Sequence, residues 1–439
     1  MKKTITGYLN LPPLLIFLPF LFLFVIIVLM LHSNSMEGDE GRYYQFAENI
    51  LNGYYSPPPP DINLWNGPGY PLFLVPFIYL KLPLITITLS NALLQYLSIV
   101  LLFHSIKCYT RRNIALLFSF FWACFYISYQ DLPLILSEPF TSFLSTLLLY
   151  LISKTFTQNY NKKYIFYAGI TLGFLVLTKI VFGYVLLVLL IISLMAFLIK
   201  KTHSNKKLVL ILLMAFVVNI PYLIYTYSIT HKLFYWGNSG GMSLYWMSTP
   251  FEGEYGDWNN SNFTADYGQE PLTQLSTAAM FAKNHQKDLN YINQFVGVEK
   301  DDAFKTIAIA NIKSHPIKYL RNCVANLGRL FFGFPVSYSY QKDKTLIRLP
   351  PNCLIITLFI ICIIPTFLNF RRKIPLVLKF ILGIVFSYLF LSMLVSAYPR
   401  QLYVIVPLLL FWFAYIIDRC FIFNLKMGNN DSVRTSSTP

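Results

Sequence analysis

The chain has 439 residues, 56% of them hydrophobic and only 12% charged, with a mean hydropathy of +0.53. Soluble domains carry about twice that charged fraction, so a water-soluble module is excluded and the chain reads as an all-α polytopic membrane protein. The net charge of +16 does not mark a nucleic-acid binder, because many of the basic residues lie in short clusters between apolar runs, the pattern of cytoplasmic loops.

In chain order, "MKK" and the apolar stretch behind it predict a retained first span. The stretch is too long for a signal peptide's apolar core, and no small-residue cleavage site follows. Runs long enough to span fall near 11–32, 84–106, 114–130, 138–154, 164–178, 180–199, 208–228, 352–369, 376–396 and 401–420, ten in all. The pair at 164–199 also reads as one long broken helix. With the N-terminus inside, the basic loops 107–113, 154–163, 200–207 and 371–373 all fall inside. Segments 33–83, 131–137, 179, 229–351 and 397–400 then fall outside. The expected organisation is an N-terminal membrane bundle (1–228) containing a first outer loop (33–83), a large outer loop (229–351), C-terminal membrane helices (352–420) and a disordered cytoplasmic tail (421–439).

The first outer loop opens with "DEGRYYQFAENILNG" (39–53). Asp39 is placed to cap a short helix, Tyr43, Ala47 and Ile50 recur at helical spacing, and Gly53 ends it. The prolines of "YYSPPPPDINLWNGPG" exclude a helix, and "YPLFLVPFIYLKLP" is apolar but too short to span, so it reads as an interfacial or re-entrant helix. In the large loop, "YWGNSGGMSLYWMSTPFEGEYGDWNNSNF" reads as irregular. "DDAFKTIAIANIKSHPIKYLRNCVANLGRLFFGF" reads as two amphipathic helices on the membrane surface, broken at Pro316. The six cysteines show no metal-ligand spacing; Cys323 and Cys353 fall where an outer bridge is open to them.

The notable outward-facing ionisable groups gather at one membrane surface: Asp39, Glu40 and Arg42 after the first span, Glu138 in "LILSEPF", Lys179 in "LTKIVFG", His231 and Lys232 at the start of the large loop, and Arg400 in "AYPRQLY". Each has a plain reading. Asp39 and Glu138 can cap helices, Lys179 and Arg400 can snorkel to headgroups, and His231 can be an ordinary loop residue. Their combination points further. A carboxylate at the mouth of an apolar bundle can take a proton from a hydroxyl, and Arg and Lys there can hold a phosphate whose lipid tail lies in the membrane.

The order of "GDEGRYYQFAENILNG", a Pro-rich stretch, "NGPGYPLFLVPFIY", "SEPFTSFLSTLLLYL", "GITLGFLVLTK", "HPIKYL" and "RQLYVIVPLLLFWFAY" resembles, over nearly the whole chain, the GT-C membrane glycosyltransferases that use polyprenyl-phosphate sugars. It is most similar to bacterial relatives of the protein O-mannosyltransferases and of the aminoarabinose transferase that modifies lipid A. The resemblance implies an inverting glycosyltransferase with Asp39 as general base and Glu40 beside it. Glu138 stands at a later acidic position that binds metal or orders the site in some members, so a divalent metal is a possible cofactor. Lys179 and Arg400 stand at the positions that hold the lipid phosphate, and Arg42, Tyr43 and His231 complete the substrate-binding set. It implies a polyprenyl-phosphate sugar donor, a lipid, protein or glycan acceptor, membrane lipids around the bundle, no nucleic acid, and a multi-pass place in the plasma (inner) membrane with the site on the extracytoplasmic side. A Lys-Pro-Pro motif of the lipid A transferases is here replaced by "NGPGYP". No Rossmann fingerprint or P-loop is present. The alternatives are a transporter or flippase, which inverted repeats and mid-membrane charges would mark, and an O-antigen ligase or polymerase, which has no acidic pair after the first span.

Overall fold

Each of the ten apolar runs contains an α-helix, that of 114–130 ending at Ala123, in the computed structural model, which describes residues 11–157, 161–259, 277–339, 343–369 and 374–420. The N-terminal "MKK", residues 158–160 of one inner loop, the basic loop 371–373, the tail 421–439 and residues 260–276 of the large loop lie outside the described residues. The membrane helices are α1 (Pro13–Leu31), α4 (Leu84–Lys107), α5 (Arg112–Ala123), α6 (Ser137–Thr157), α7 (Lys162–Thr178), α8 (Val181–Ile199), α9 (His203–Thr230), α14 (Asp343–Asn369), α15 (Leu376–Leu394) and α17 (Val406–Cys420). The break at Lys179 makes α7 and α8 two helices. Among the described residues six of the ten, α1, α4, α8, α9, α14 and α15, are long and apolar enough to cross a bilayer on their own.

The other four are shorter or more polar. α1 turns Phe22, Ile26 and Met30 outward, as a helix against lipid must. α6 is enclosed by protein and buries Ser142, Ser145, Thr146 and Ser153. Its threonine hydroxyls donate to carbonyls one turn back, Thr146 to Ser142 at 3.0 Å and Thr155 to Leu151 at 2.8 Å. α6 packs between α4 and α7, and α7 against α9. Gly169 and Gly173, one turn apart on α7, let α9 come close: a Cβ on either would meet the Met214 or Val218 side chain.

One end of the bundle is basic. Arg111 pairs with Asp418 at 2.6 Å, the Arg112 guanidinium donates to the Leu11 carbonyl at 2.8 Å, and the Lys207 ammonium to the Thr155 carbonyl at 2.9 Å. The opposite end carries the connecting segments. α2 (Asp39–Leu51) is capped by Gly38 and not by Asp39, which occupies the first helical position and makes no capping bond. The expected cap is therefore corrected, and the Asp39 carboxylate points elsewhere. α3 (Gly69–Tyr79) is an 11-residue apolar helix packed on α2 and α7.

The large loop holds α10 (Gly240–Met247), α11 (Thr277–Ile292), α12 (Gly297–Ser314) and α13 (Pro316–Phe332) around a small core of Tyr245, Trp246, Phe281, Leu289 and Phe304. α10 forms where composition predicts irregular chain, because Met242, Tyr245 and Trp246 all reach that core. The break at Pro316 is present. Of the two expected surface helices only α13 exposes an apolar stripe (Ile317, Leu320, Val324), whereas α12 buries Ala303, Phe304 and Ala308 inward. Asn238 stitches the large loop to the segment before α3, accepting from the Leu64 amide and donating to the Ile62 carbonyl, both at 2.8 Å. α14 begins at Asp343, so the last residues of the expected outer loop are helical. All six cysteines are free thiols.

Candidate active site

A cavity of about 970 Å³ opens at the non-basic end, between the helix mouths, the segment after α1 and the large loop. Asp39 enters it because α1 ends at Leu31 and α2 starts eight residues later. Lys179 enters from the extended residue that ends α7. Arg400 enters from a five-residue helix, α16 (Pro399–Tyr403), whose proline occupies the first position, where its missing N–H costs nothing. Tyr43, Trp65, Asn66, Asp131 and Arg348 also line the wall.

The charged groups form a chain. Arg42 donates to Asp39 Oδ1 and Arg400 to Asp39 Oδ2. Arg400 Nε lies 3.5 Å from Glu138 Oε1, and Lys179 Nζ donates to the same oxygen at 2.7 Å. Three cations thus share two carboxylates, leaving one net positive charge before any substrate enters. Burial alone would raise the Asp39 carboxyl. The charges of Arg400 and Arg42 outweigh it and hold Asp39 below the ordinary carboxylate value, so it is ionised at neutral pH.

The remaining bonds fix these side chains. Arg42 Nε donates to Asn66 Oδ1 at 2.6 Å and its guanidinium sits 4.9 Å from the Trp65 ring centroid. Asn66 Nδ2 donates to the Tyr43 hydroxyl at 3.1 Å, which lies 3.0 Å from Ser137 Oγ.

Asp39, Arg42, Tyr43, Lys179 and Arg400 therefore come together on one wall, with Glu138 behind Lys179 and Arg400. Two expected residues do not join them. Glu40 is buried, and its Oε1 accepts the Ile135 amide at 2.7 Å, so it holds α2 to the segment before α6 and does not line the cavity. His231 ends α9 in the left-handed conformation with φ 55° and is exposed away from the cavity. The donor set around Glu138 does not fit a divalent cation, since two cationic side chains already face its Oε1. Among the described residues no group of three His, Cys, Asp or Glu could hold a metal.

Sequence reasoning missed Asn66, Asp131 and Arg348. Asn66 sits inside the quoted "NGPGYP", where a polar side chain among turn residues was the available signal. Asp131 stands in a short segment between two apolar runs and its only signal was its charge. Arg348 lies nine residues beyond the Pro-flanked stretch at 335–339, and nothing in the sequence joins it to the others.

The glycines of "NGPGYP" have a packing task. A Cβ on Gly67 would strike the Leu177 carbonyl group, with its carbon at 2.9 Å, so the first loop lies backbone to backbone on the end of α7, two residues before Lys179. Gly67→Ala is expected to cost about 1–3 kcal/mol, the range for overpacking a close contact, and to displace Lys179. Thermal melts and transfer assays on the variant check this; wild-type values in both would remove the positioning role.

No family model matches the chain, and no curated protein matches it. Two solved structures do. The crystal structure of the Archaeoglobus fulgidus oligosaccharyltransferase, tethered to an acceptor peptide containing the NVT sequon, superposes with a TM-score of 0.50 at 12% identity, over 91% of this chain and 49% of that one. ArnT from Cupriavidus metallidurans, bound to undecaprenyl phosphate, gives a TM-score of 0.38 at 13% identity, over 90% of this chain and 76% of that one. This chain spans about half the length of the oligosaccharyltransferase. The likeness to the oligosaccharyltransferase, at 12% identity, is one of fold alone.

Proposed function

We propose that the protein is an integral membrane glycosyltransferase that moves a sugar from a polyprenyl-phosphate donor to an acceptor hydroxyl at the extracytoplasmic face of the plasma membrane. One observation carries the proposal. An ionised carboxylate, Asp39, is held between two guanidinium groups in a positively biased cavity at the mouth of a membrane bundle. Basic loops favour the cytoplasmic side, and Arg111, Arg112 and Lys207 lie at the end opposite the cavity, which supports an outward-facing site. A lipid-linked donor reaches such a site from the bilayer, and its phosphate matches the excess positive charge.

The arginines suggest how the base is made ready. In the resting site each takes one oxygen of Asp39. A donor phosphate competes for the same guanidinium groups and draws them off, so Asp39 becomes a stronger base once donor is bound. The acceptor hydroxyl then attacks the anomeric carbon as the bond from that carbon to the phosphate oxygen breaks. The hydroxyl proton passes to Asp39, and the configuration inverts. Negative charge grows on the departing phosphate, where Arg400 and Arg42 oppose it. Lys179, bound to Glu138, fixes the position of the acid that Arg400 Nε faces.

Mass spectrometry of lipids, glycans and glycoproteins from a deletion strain tests the proposal. A polyprenyl-phosphate sugar should accumulate, and one acceptor should lose that sugar, with both changes reversed by the intact gene and not by Asp39→Asn. A deletion strain with unchanged lipid-linked sugars and unchanged acceptors would overturn it.

A further inference from the structure

Asp131 is a cavity group that this mechanism does not use. Asp131 closes a short 3-10 helix, Tyr126–Asp131, between α5 and α6, and it lines the cavity. The residue is 5% exposed, and its Oδ2 has no hydrogen-bond partner. A buried carboxyl oxygen without a partner is costly, and in a native structure such an atom asks for the group that satisfies it. Its surroundings narrow the choice. Arg400, Lys179 and Arg348 lie within electrostatic reach, which sets Asp131 beside the charged chain that would receive the donor phosphate. Ionised, the carboxyl repels the phosphate itself. It suits a hydroxyl, and the hydroxyls nearest the phosphate belong to the sugar bonded to it. Burial, together with the Glu138 charge, raises the Asp131 carboxyl above the ordinary carboxylate value. In its protonated form it can donate as well as accept, as a pair of ring hydroxyls requires. Gln130 lines the same wall, its amide nitrogen donating to the Tyr403 hydroxyl at 2.7 Å.

We propose that Asp131, with Gln130 beside it, is the subsite that grips ring hydroxyls of the transferred sugar and sets which sugar the enzyme accepts. This rests on the transfer reading above and adds to it a residue that chooses the sugar and does not touch the acceptor proton. A site built to hydrogen-bond a hydroxyl discriminates strongly against a ligand without it, because its own buried polar atom is then left unpaired.

The test uses the purified full chain in lipid nanodiscs and two probes: the glycosylated polyprenyl phosphate that accumulates in the deletion strain, and polyprenyl phosphate of the same chain length without sugar. Wild type should bind the glycosylated lipid more tightly. Asp131→Leu, which can neither donate nor accept, should lose about ten- to hundredfold in affinity for the glycosylated lipid and keep its affinity for the bare one. Gln130→Leu, which leaves the buried carboxyl in place, should show a smaller loss of the same kind and decides the matter should the Asp131 variant not fold. An unchanged preference in these variants overturns the subsite, as does an equal loss for both lipids, which would make Asp131 a packing residue. A wild-type protein that binds both lipids alike has no sugar subsite here. If no such lipid accumulates, or wild type binds neither lipid, the transfer reading falls, and the subsite with it.

Discussion

Asp39→Asn should lower transfer by about 10²–10⁴-fold, the range for removing a general base, while donor binding holds or tightens. The sign of the binding change carries the argument. Asp39 now occupies both Arg42 and Arg400. Asparagine keeps the shape but carries no charge, so the guanidinium groups are released toward a phosphate. If the three residues formed only a structural ion-pair cluster, the same change would lower the melting temperature and weaken donor binding together. The helix cap no longer competes as an explanation, because Gly38 holds that position. A companion measurement is the acid limb of kcat/KM. Because Arg400 and Arg42 outweigh burial and hold the Asp39 carboxyl below its ordinary value of 3.8, the free enzyme keeps its base ionised above that pH and loses it only as pH falls through the lower folded value. Arg400→Ala removes the stronger of the two opposing charges, so the limb should move to higher pH. A fully active Asp39→Asn enzyme, or an acid limb indifferent to Arg400, would end the base assignment.

Much of the bundle was legible because hydrocarbon imposes a simple rule, and α1, α8 and α15 obey it: nearly every residue is apolar whichever way it points. α6 and α17 were harder. Packed against protein on most sides, they need not be uniformly apolar or of full length, as the buried serines of α6 and the 15 residues of α17 illustrate. Legibility failed more seriously in the large loop, where α10 has two glycines at its start and is helical only because its Tyr245 and Trp246 fill a core built from segments far along the chain. Tertiary packing overrides local propensity in this way, and a single sequence does not display it.

The site divides along a similar line. Asp39 and Arg400 lie 361 positions apart and share a bond, yet both were readable as charges at the mouths of apolar runs. Depth in the membrane is written in the sequence; direction is not. Glu40 and His231 stand at the same depth as their neighbours, and one turns into the protein to hold Ile135 while the other turns out at the end of α9. For Asp131 the informative fact is the lack of a partner for one oxygen, and that is a property of the folded wall.

The largest expected loss of stability is at the pair that was read as a metal or phosphate site. The Glu138 side chain is 2% exposed and that of Lys179 17%, with Nζ and Oε1 2.7 Å apart. Taking two charges from water costs several kcal/mol per ion, and their attraction offsets this only while both are present. Lys179→Met strands a buried carboxylate whose remaining cation, Arg400 Nε, is 3.5 Å away. Glu138→Gln strands a buried ammonium in a cluster that is already positive. Each single change should therefore cost about 3–5 kcal/mol. The double variant Glu138→Gln/Lys179→Met removes both charges and should cost less than the sum of the two single losses, the difference falling within the roughly 0.5–3 kcal/mol of coupling found for residues in contact. Its activity should nevertheless stay below wild type, because Arg400 then lacks the carboxylate that faces its Nε. Thermal melts of the four proteins in one detergent measure the cycle. Strictly additive losses would mean that the two side chains do not depend on each other, and Glu138 would again be open to a role as a ligand for something outside the chain.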